Sequence, residues 1–548
     1  MSFDILIRDG RVVDGTGNPW FRADVGIKEG KIAAVGHLGS AKADRVIEAS
    51  GLIVCPGFID IHNHSDTTPL TNRNCESFVR QGVTTQVIGN CGTSAAPISE
   101  EYRHIVEART NNLDIVRLDW NTFDQYLRRM DGVATNIVPQ VGNGTLRIAV
   151  MGYEMRAPTK RELREMKQLL TGALEDGVFG MSFGPYPPAG YADTEELIDL
   201  AEVVAMYGGI FSTHIRGDSA TTFIPAVREA IEIGERSGCP VQISHHASLY
   251  DAWGQNQQSL RLIEEAQGRG VDVTCDLHTY VYAAAGLTTL LPDWAHEGGP
   301  EKILERVSDP ETREKMREFV LAEEKSYTHR SIAADGLWDK IRISRSRSSP
   351  GNEGKSLEKI GKERGTDPWT TVYDLLQEEG PPYQGIISKA YREDEVRRAI
   401  ESPYSMVSSD GRSVAPYGPL GVGKPHPRYY GTFPSLFRKY VRGETRRELL
   451  GDEGARILTL EEAVRKSTSM PAQKLGLLDR GVIRENAWAD VVVFNADTIT
   501  DKATFVKPHQ YPEGIAYVLV NGVVVIDEGE HTGALPGRTL RGPGYRKR

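Results

Sequence analysis

Hydrophobic and polar positions follow two different rhythms along this chain. At both ends, short apolar runs alternate with polar residues and are cut by turn dipeptides. DILIRDGRVVDG and ADVGIKEGKIAAVG near the start carry Asp-Gly and Glu-Gly; ADVVVFNADTI and GIAYVLVNGVVVIDEG near the end carry Asn-Gly in the last run. A period of two puts alternate side chains on opposite faces of a strand, and such dipeptides join antiparallel neighbours. This predicts one small β-sandwich domain formed by both termini, residues 1–55 plus 470–548. Between the ends, short apolar strands alternate with amphipathic helices, the pattern of βα units around a parallel sheet. Eight strand candidates occur in order, GFIDIHNH, TTQVIGNC, NIVPQVGN, FGMSFG, GIFSTHI, PVQISHH, VDVTCDL and YSMVSSDG. Eight strands close a barrel, so the expected fold class is α/β, a (β/α)8 TIM barrel over residues 56–469. TKRELREMKQLLTGALEDG, TEELIDLAEVVAMYG and SLRLIEEAQGRG read as the intervening helices, with glycine at or just past their ends, where a left-handed cap is wanted.

The seventh and eighth candidates stand much further apart than a usual strand-to-helix connection allows, which predicts an insertion at about residues 290–365. It contains EKILERVSDPETREKMREFVLAEEKSY, a charged helical stretch, and ISRSRSSPGNEGKS, which reads as a mobile surface loop. A lid, an oligomer contact and a solvated decoration are all compatible with that pattern.

Length and charge narrow the function classes. The 548 residues exceed what one hydrophobic core usually supports, in keeping with a large catalytic domain and a smaller one. A formal charge of -10 with no concentrated basic stretch argues against nucleic-acid binding. No run of about 18 apolar residues occurs, and the opening MSFDILIRDGRVVDG has an early acid and no basic leader, so no membrane association and a cytoplasmic location are expected. Five cysteines, Cys55, Cys75, Cys91, Cys239 and Cys275, are few, odd in number and scattered, the pattern of reduced thiols with room for one metal ligand.

Polar residues at the ends of the strand candidates carry the chemistry, because active sites of such barrels lie at the C-terminal ends of their strands. His62 and His64 end the first. Residues two apart in a strand share a face about 6.5 to 7 Å apart, so both imidazoles can converge on one ion. Cys91 ends the second, where a thiolate would be a strong zinc ligand and Gly89 and Gly92 would permit close backbone approach. His214 ends the fifth and His245 the sixth. Singly, each is more often a core residue; together they point to a metal centre. Asp410 ends the eighth, and a buried carboxylate without a partner costs several kcal/mol, which implies a cation or a proton role. His246 points away from His245 by alternation, whereas Asp276 and His278 share a face and can line the pocket.

These residues resemble the amidohydrolase superfamily and, within it, the N-acyl-D-amino-acid deacylase (D-aminoacylase) family. The resemblance rests on PGFIDIHNHSD, GVTTQVIGNCGTSAAP, YADTEEL, STHIRGD, ISHHA and the long segment from SSDGRSVAPYG through KPHPRYYGTFP. It implies a tightly held zinc on Cys91, His214 and His245, and a second, weaker position on His62 and His64 with Cys91 as a bridge. It further implies Asp410 as metal ligand and general base and acid, Arg428 gripping a substrate carboxylate, and Tyr191, Tyr280 and His278 around the substrate. Two departures bear on substrate recognition: Ala247 stands where the family commonly has lysine, and His278 stands in a tyrosine position.

The implied reaction is hydrolysis of a linear amide by water activated on zinc, most readily deacylation of an N-acyl-D-amino acid by an enzyme working alone or as a homo-oligomer on a small molecule. Three rivals remain: a D-residue dipeptidase, a cyclic-amide hydrolase of the hydantoinase or dihydroorotase kind, and a non-catalytic scaffold. The cyclic-amide reading needs a carboxylated strand lysine bridging two metals. Between His64 and His214 the chain offers only Lys160 and Lys167, both on a predicted helix, which leaves Cys91 as the bridge.

Overall fold

The computed structural model describes residues 2–39, 41–110, 116–322, 327–380 and 384–547. The N-terminal segment forms β1 (Ser2–Val12), β2 (Phe21–Lys28), β3 (Lys31–Gly36), β4 (Lys42–Glu48) and β5 (Ile53–Pro56). Short strands alternating with helices follow: β6 (Phe58–Asp60), β7 (Val83–Ile88), β8 (Asn136–Pro139), β9 (Val141–Gly142), β10 (Gly180–Phe183), β11 (Ile210–Thr213), β12 (Val241–Ile243) and β13 (Val273–Leu277). An inserted segment holds β14 (Ala283–Gly286), β15 (Ile341–Arg345) and β16 (Gly385–Ser388) before β17 (Ser405–Val407). The chain ends with β18 (Val491–Phe494), β19 (Ile515–Val520), β20 (Val523–Asp527) and β21 (Glu530–His531).

All eight central strand candidates are present, the third as β8 and β9 interrupted at Gln140. β6, β7 and β8 form one parallel ladder, and β9, β10, β11, β12, β13 and β17 another. The far ends of the two ladders also meet: Asp410 N–H donates to the His62 carbonyl at 2.9 Å and His64 N–H to the Gly411 carbonyl at 2.8 Å. The parallel strands are short because only their buried cores pair; β7 is buried at every position, as expected of a strand covered on both faces. Helix ends follow local chemistry. Lys160–Asp176 starts at a Thr159 capping box with Glu162 and stops at Gly177 in a left-handed conformation.

Four features differ from the expectations drawn from the sequence. The terminal strands are continuous in hydrogen bonding. Hydrogen bonding runs through one nine-stranded sheet that branches at β1, whose 11 residues pair β2 on one edge and β4 and then β5 on the other. Its own core includes Ile7, Val25, Ile27, Val54, Val491 and Leu519. Second, the boundary at 470 cuts through packed structure. Helix Ser469–Lys474 lies against β6, and the tail beyond β21 returns to the parallel layer through Gly537 N–H to Val133 O and Leu540 N–H to Ile137 O, both 2.8 Å.

Third, the insertion is wider than residues 290–365, because β14, β16 and β15 form an antiparallel sheet that periodicity alone did not reveal. Fourth, ISRSRSSPGNEGKS is not a free loop. It opens in β15, and Glu379 then accepts hydrogen bonds from the backbone of Arg347 at 2.7 Å and Ser348 at 2.9 Å. The charged helical stretch before it forms helices Pro300–Ser308 and Pro310–Ala322; residues 323–326 lie outside the described ones.

Helix Arg428–Leu436, which carries Arg428, is anchored below by a buried charge cluster. Arg438 is buried and pairs with Asp452 and Asp501, each at 2.6 Å, while Asp501 also accepts from the Tyr280 hydroxyl at 3.2 Å. Removing one member leaves its partners charged and unmatched, so Arg438→Ala is expected to lower unfolding free energy by about 3–5 kcal/mol in a denaturant titration.

Candidate metal centre

Three chemically distinctive residues share an unusual backbone. Cys91 (φ 50°), His245 (φ 36°) and Asp410 (φ 43°) are left-handed, though none is glycine, and each follows a parallel strand. Such a conformation costs of order 1–3 kcal/mol per residue and persists only where the surroundings enforce it. Here it turns the chain sharply at the strand ends. Around Cys91 the neighbours make room: at Gly92 (φ +72°) a Cβ would lie 2.7 Å from the Gly184 nitrogen, and at Gly89 (φ +81°) 2.0 Å from the Gln140 carbonyl. Ser182 locks this corner, accepting from Gly92 N–H at 3.0 Å and donating to the Gly89 carbonyl at 2.5 Å.

The result is one sulfur ringed by imidazoles. Cys91 Sγ lies 3.4 Å from His62 Nε2, 3.6 Å from His245 Nε2 and 3.9 Å from His214 Nδ1. Tetrahedral zinc with a bond of about 2.3 Å to sulfur and 2.0–2.1 Å to nitrogen separates the two ligand atoms by about 3.6 Å. Two triplets have all ligand atoms within 4.8 Å of one another, His62–His64–Cys91 and Cys91–His214–His245, and Cys91 belongs to both. The ring centroids of His214 and His245 are 4.4 Å apart, those of His62 and His245 5.2 Å, and those of His62 and His64 5.3 Å. The donor set fits a divalent, nitrogen- and sulfur-seeking ion.

Electrostatics agree with that fit. Burial lowers His62 to about 3, His245 to about 4 and His214 well below the usual imidazole value, so all three are neutral with lone pairs to donate. Burial, then the carboxylates of Asp410 and Asp276, hold the Cys91 thiol well above its ordinary value. A cation must therefore displace a proton from Cys91 to bind.

Asp410 sits at the rim of this ring. Its Oδ1 is 3.1 Å from His64 Nε2 and 3.7 Å from His62 Nε2, and its Oδ2 is 2.9 Å from Arg428 Nη1. Burial alone would raise its carboxyl, but the Arg428 guanidinium and the His64 hydrogen bond outweigh it and hold the group well below the usual range, so Asp410 is ionised. Asp276 braces the sixth strand end from below, accepting from His245 N–H at 3.0 Å, Gln242 at 2.8 Å and Ser408 at 2.7 Å. His246 faces away, bonded to Ser259 at 3.0 Å and stacked on Phe223, as strand alternation predicts.

On the Arg428 side, His278 accepts at Nδ1 from Tyr280 N–H at 3.3 Å, so its proton sits on Nε2, which is buried and has no partner. Arg428 Nε is likewise buried and unmatched. His278 packs edge-on to Tyr391, ring centroids 5.3 Å apart. One sequence-based assignment changes. Tyr280 does not reach the metal centre: its ring lies against His426 and its hydroxyl is committed to Asp501. Tyr191 is 36% exposed, and burial, then Asp293 and Glu297 against Arg330, raise its hydroxyl. Five residues earlier, Tyr186 lies with its ring edge-on to His214 at 5.3 Å. Neither Tyr186 nor Tyr391 was singled out from the sequence. Tyr186 could have been, as the tyrosine nearest the end of the fourth strand; Tyr391 could not, because it arrives from beyond the insertion.

Comparison with known proteins identifies the family. The model of the amidohydrolase family matches residues 45–526. The chain is 36% identical to an N-acyl-D-glutamate deacylase and 34% identical to a D-aminoacylase, both of Alcaligenes xylosoxydans xylosoxydans, each over 98% of this chain and 97% of the relative. Among solved structures, the N-acyl-D-glutamate deacylase of Bordetella bronchiseptica, complexed with zinc and a phosphonate mimic of the tetrahedral intermediate, is similar with a TM-score of 0.81 at 34% identity, covering 99% of this chain and 100% of that one. With a family match across most of its length and relatives of this identity over nearly all of it, the chain belongs to the amidohydrolase family.

Proposed function

We propose that this protein is a zinc-dependent deacylase of N-acyl-D-amino acids, acting on small molecules at the ring of ligands around Cys91. The carrying observation is the shared sulfur, 3.4–3.9 Å from three neutral imidazoles with an ionised aspartate beside them. Support for the substrate class comes from the names of the relatives, an N-acyl-D-glutamate deacylase and a D-aminoacylase. The circuit of parallel strands is read as a (β/α)8 barrel, with the branched terminal sheet as its companion domain.

Cys91, His214 and His245 would hold the tight zinc; His62 and His64, sharing Cys91, would hold a second. A bound zinc polarises the amide carbonyl and lowers the pKa of its water from 15.7 to about 7. Asp410, kept ionised by Arg428 and His64, takes the proton of the attacking water and returns it to the departing nitrogen. The Nε–H of Arg428 and the Nε2–H of His278, both buried and without a hydrogen-bond partner, would receive a carboxylate of the substrate, one from a positive group and one from a neutral one. The cyclic-amide alternative loses its bridging lysine, since Lys167 pairs with Asp199 on the helical layer.

Asp410→Asn is expected to reduce kcat by about 10²–10⁴-fold with the tight zinc retained by elemental analysis; a variant keeping more than a few per cent of activity would remove Asp410 from this role. Because the thiol of Cys91 is protonated before zinc arrives, affinity should rise with pH by up to about tenfold per unit below the thiol's own pKa. Calorimetry in buffers of different protonation enthalpy should show about one proton released per tight zinc near pH 7. Zero release would contradict thiolate ligation.

A further inference from the structure

One ring nitrogen of His62 is left over once its place in the ring of ligands is filled. Its Nε2 faces Cys91 Sγ at 3.4 Å, but its Nδ1 is buried without a hydrogen-bond partner among the described residues. The neutral imidazole carries one N–H and one lone pair, so with the lone pair turned to the ligands the proton sits on Nδ1. A buried donor left unmatched costs about 1–3 kcal/mol. The acceptor that faces it is Asp276 Oδ1, 3.9 Å away. That is about 1 Å longer than a charge-assisted N–H···O bond.

Asp276 is buried on β13, a strand that supplies no metal ligand. Its Oδ1 accepts from His245 N–H at 3.0 Å and from the Ser408 hydroxyl at 2.7 Å, and its Oδ2 from Gln242 at 2.8 Å. All three donors are neutral. Burial accordingly raises its carboxyl above the usual range in spite of these bonds, and a divalent cation at the ring of ligands is the positive charge that favours its ionised form. One oxygen of Asp276 thus holds the backbone of His245, a ligand of the tight position, and faces the ring of His62, a ligand of the second.

Resting on the zinc reading above, we propose that Asp276 is a positioning residue of the second metal position. It takes the Nδ1 proton of His62, which fixes the tautomer and turns the Nε2 lone pair to an ion shared with His64 and Cys91. Metal-bound histidines generally give their other ring N–H to a carboxylate, a carbonyl or water, and losing that partner typically costs about 10–100-fold in metal affinity. Neither Asp410 nor Arg428 can replace it, because both lie on the Nε2 side of the ring, Asp410 Oδ1 at 3.7 Å from His62 Nε2 and Arg428 bound to Asp410 Oδ2.

Zinc affinities of the full-length protein, measured by competition with a chromogenic chelator, test this. The natural enzyme should take up a tight zinc and a weaker one. Asp276→Asn keeps the shape of the side chain and an oxygen for His245 N–H, and should weaken the second zinc by about 10–100-fold while the tight one changes by less than about threefold. A strand end that had merely loosened would weaken both positions together, and that outcome, or two unchanged affinities, overturns the proposal. A crystal structure of the zinc-loaded natural enzyme checks it even if the variant fails to fold: His62 Nδ1 should lie within about 3.2 Å of Asp276 Oδ1, and a longer separation overturns it. Failure of the zinc reading itself would look different. The natural enzyme would then bind no zinc at these ligands, or the tight one alone, and the proposal would go with it.

Discussion

One thiol surrounded by three imidazoles is the contact on which the active centre depends. Cys91, His62, His214 and His245 come from four different strand ends, and nothing in their local sequences holds them together. Burial keeps the imidazoles neutral and the thiol protonated, and His62 Nδ1 is buried without a hydrogen-bond partner. A divalent cation resolves all of this at once by taking the lone pairs and displacing the thiol proton. The left-handed backbone at Cys91, His245 and Asp410 is the cost of bringing these atoms to one point, and the close-packed glycines and the bonds to Asp276 and Ser182 enforce it.

Asp410 links this ring to the rest of the site. The backbone bonds between His62, His64, Asp410 and Gly411 join the last parallel strand to the first, so closing the circuit of strands is the same event as delivering the acid to the metal ligands. Arg428 holds Asp410 ionised through a 2.9 Å contact with its Oδ2. Its own placement depends on the buried cluster of Arg438, Asp452 and Asp501 beneath its helix.

The inserted segment belongs to the site more than to the periphery. Tyr327 and Thr328 bring it against Tyr186 and Asp218, and Tyr391, just beyond β16, lies against His278. The terminal sheet, by contrast, supports from the other side. Asp490, ahead of β18, accepts from Asn521 N–H at 2.7 Å and from Asn136 of β8 at 3.2 Å, which couples the two layers through a buried polar knot.

Periodicity and strand-end chemistry were enough to reveal the eight central strands, the hairpin-rich ends and the gathering of His62, His64, Cys91, His214, His245 and Asp410, because each signal is local: alternation, a glycine cap, a polar residue ending an apolar run. Long-range pairing was not. The branching of the sheet at β1, the antiparallel strands of the insertion and the return of the tail to the parallel layer depend on partners hundreds of residues away. For the same reason Tyr280 looked like a substrate contact, while the places of Tyr186 beside His214 and of Tyr391 beside His278 were not legible. Residue identity determined which groups could bind a metal and move a proton; tertiary packing decided which of them face one another, since the direction of a side chain at a strand end is set by neighbours that the local sequence does not contain.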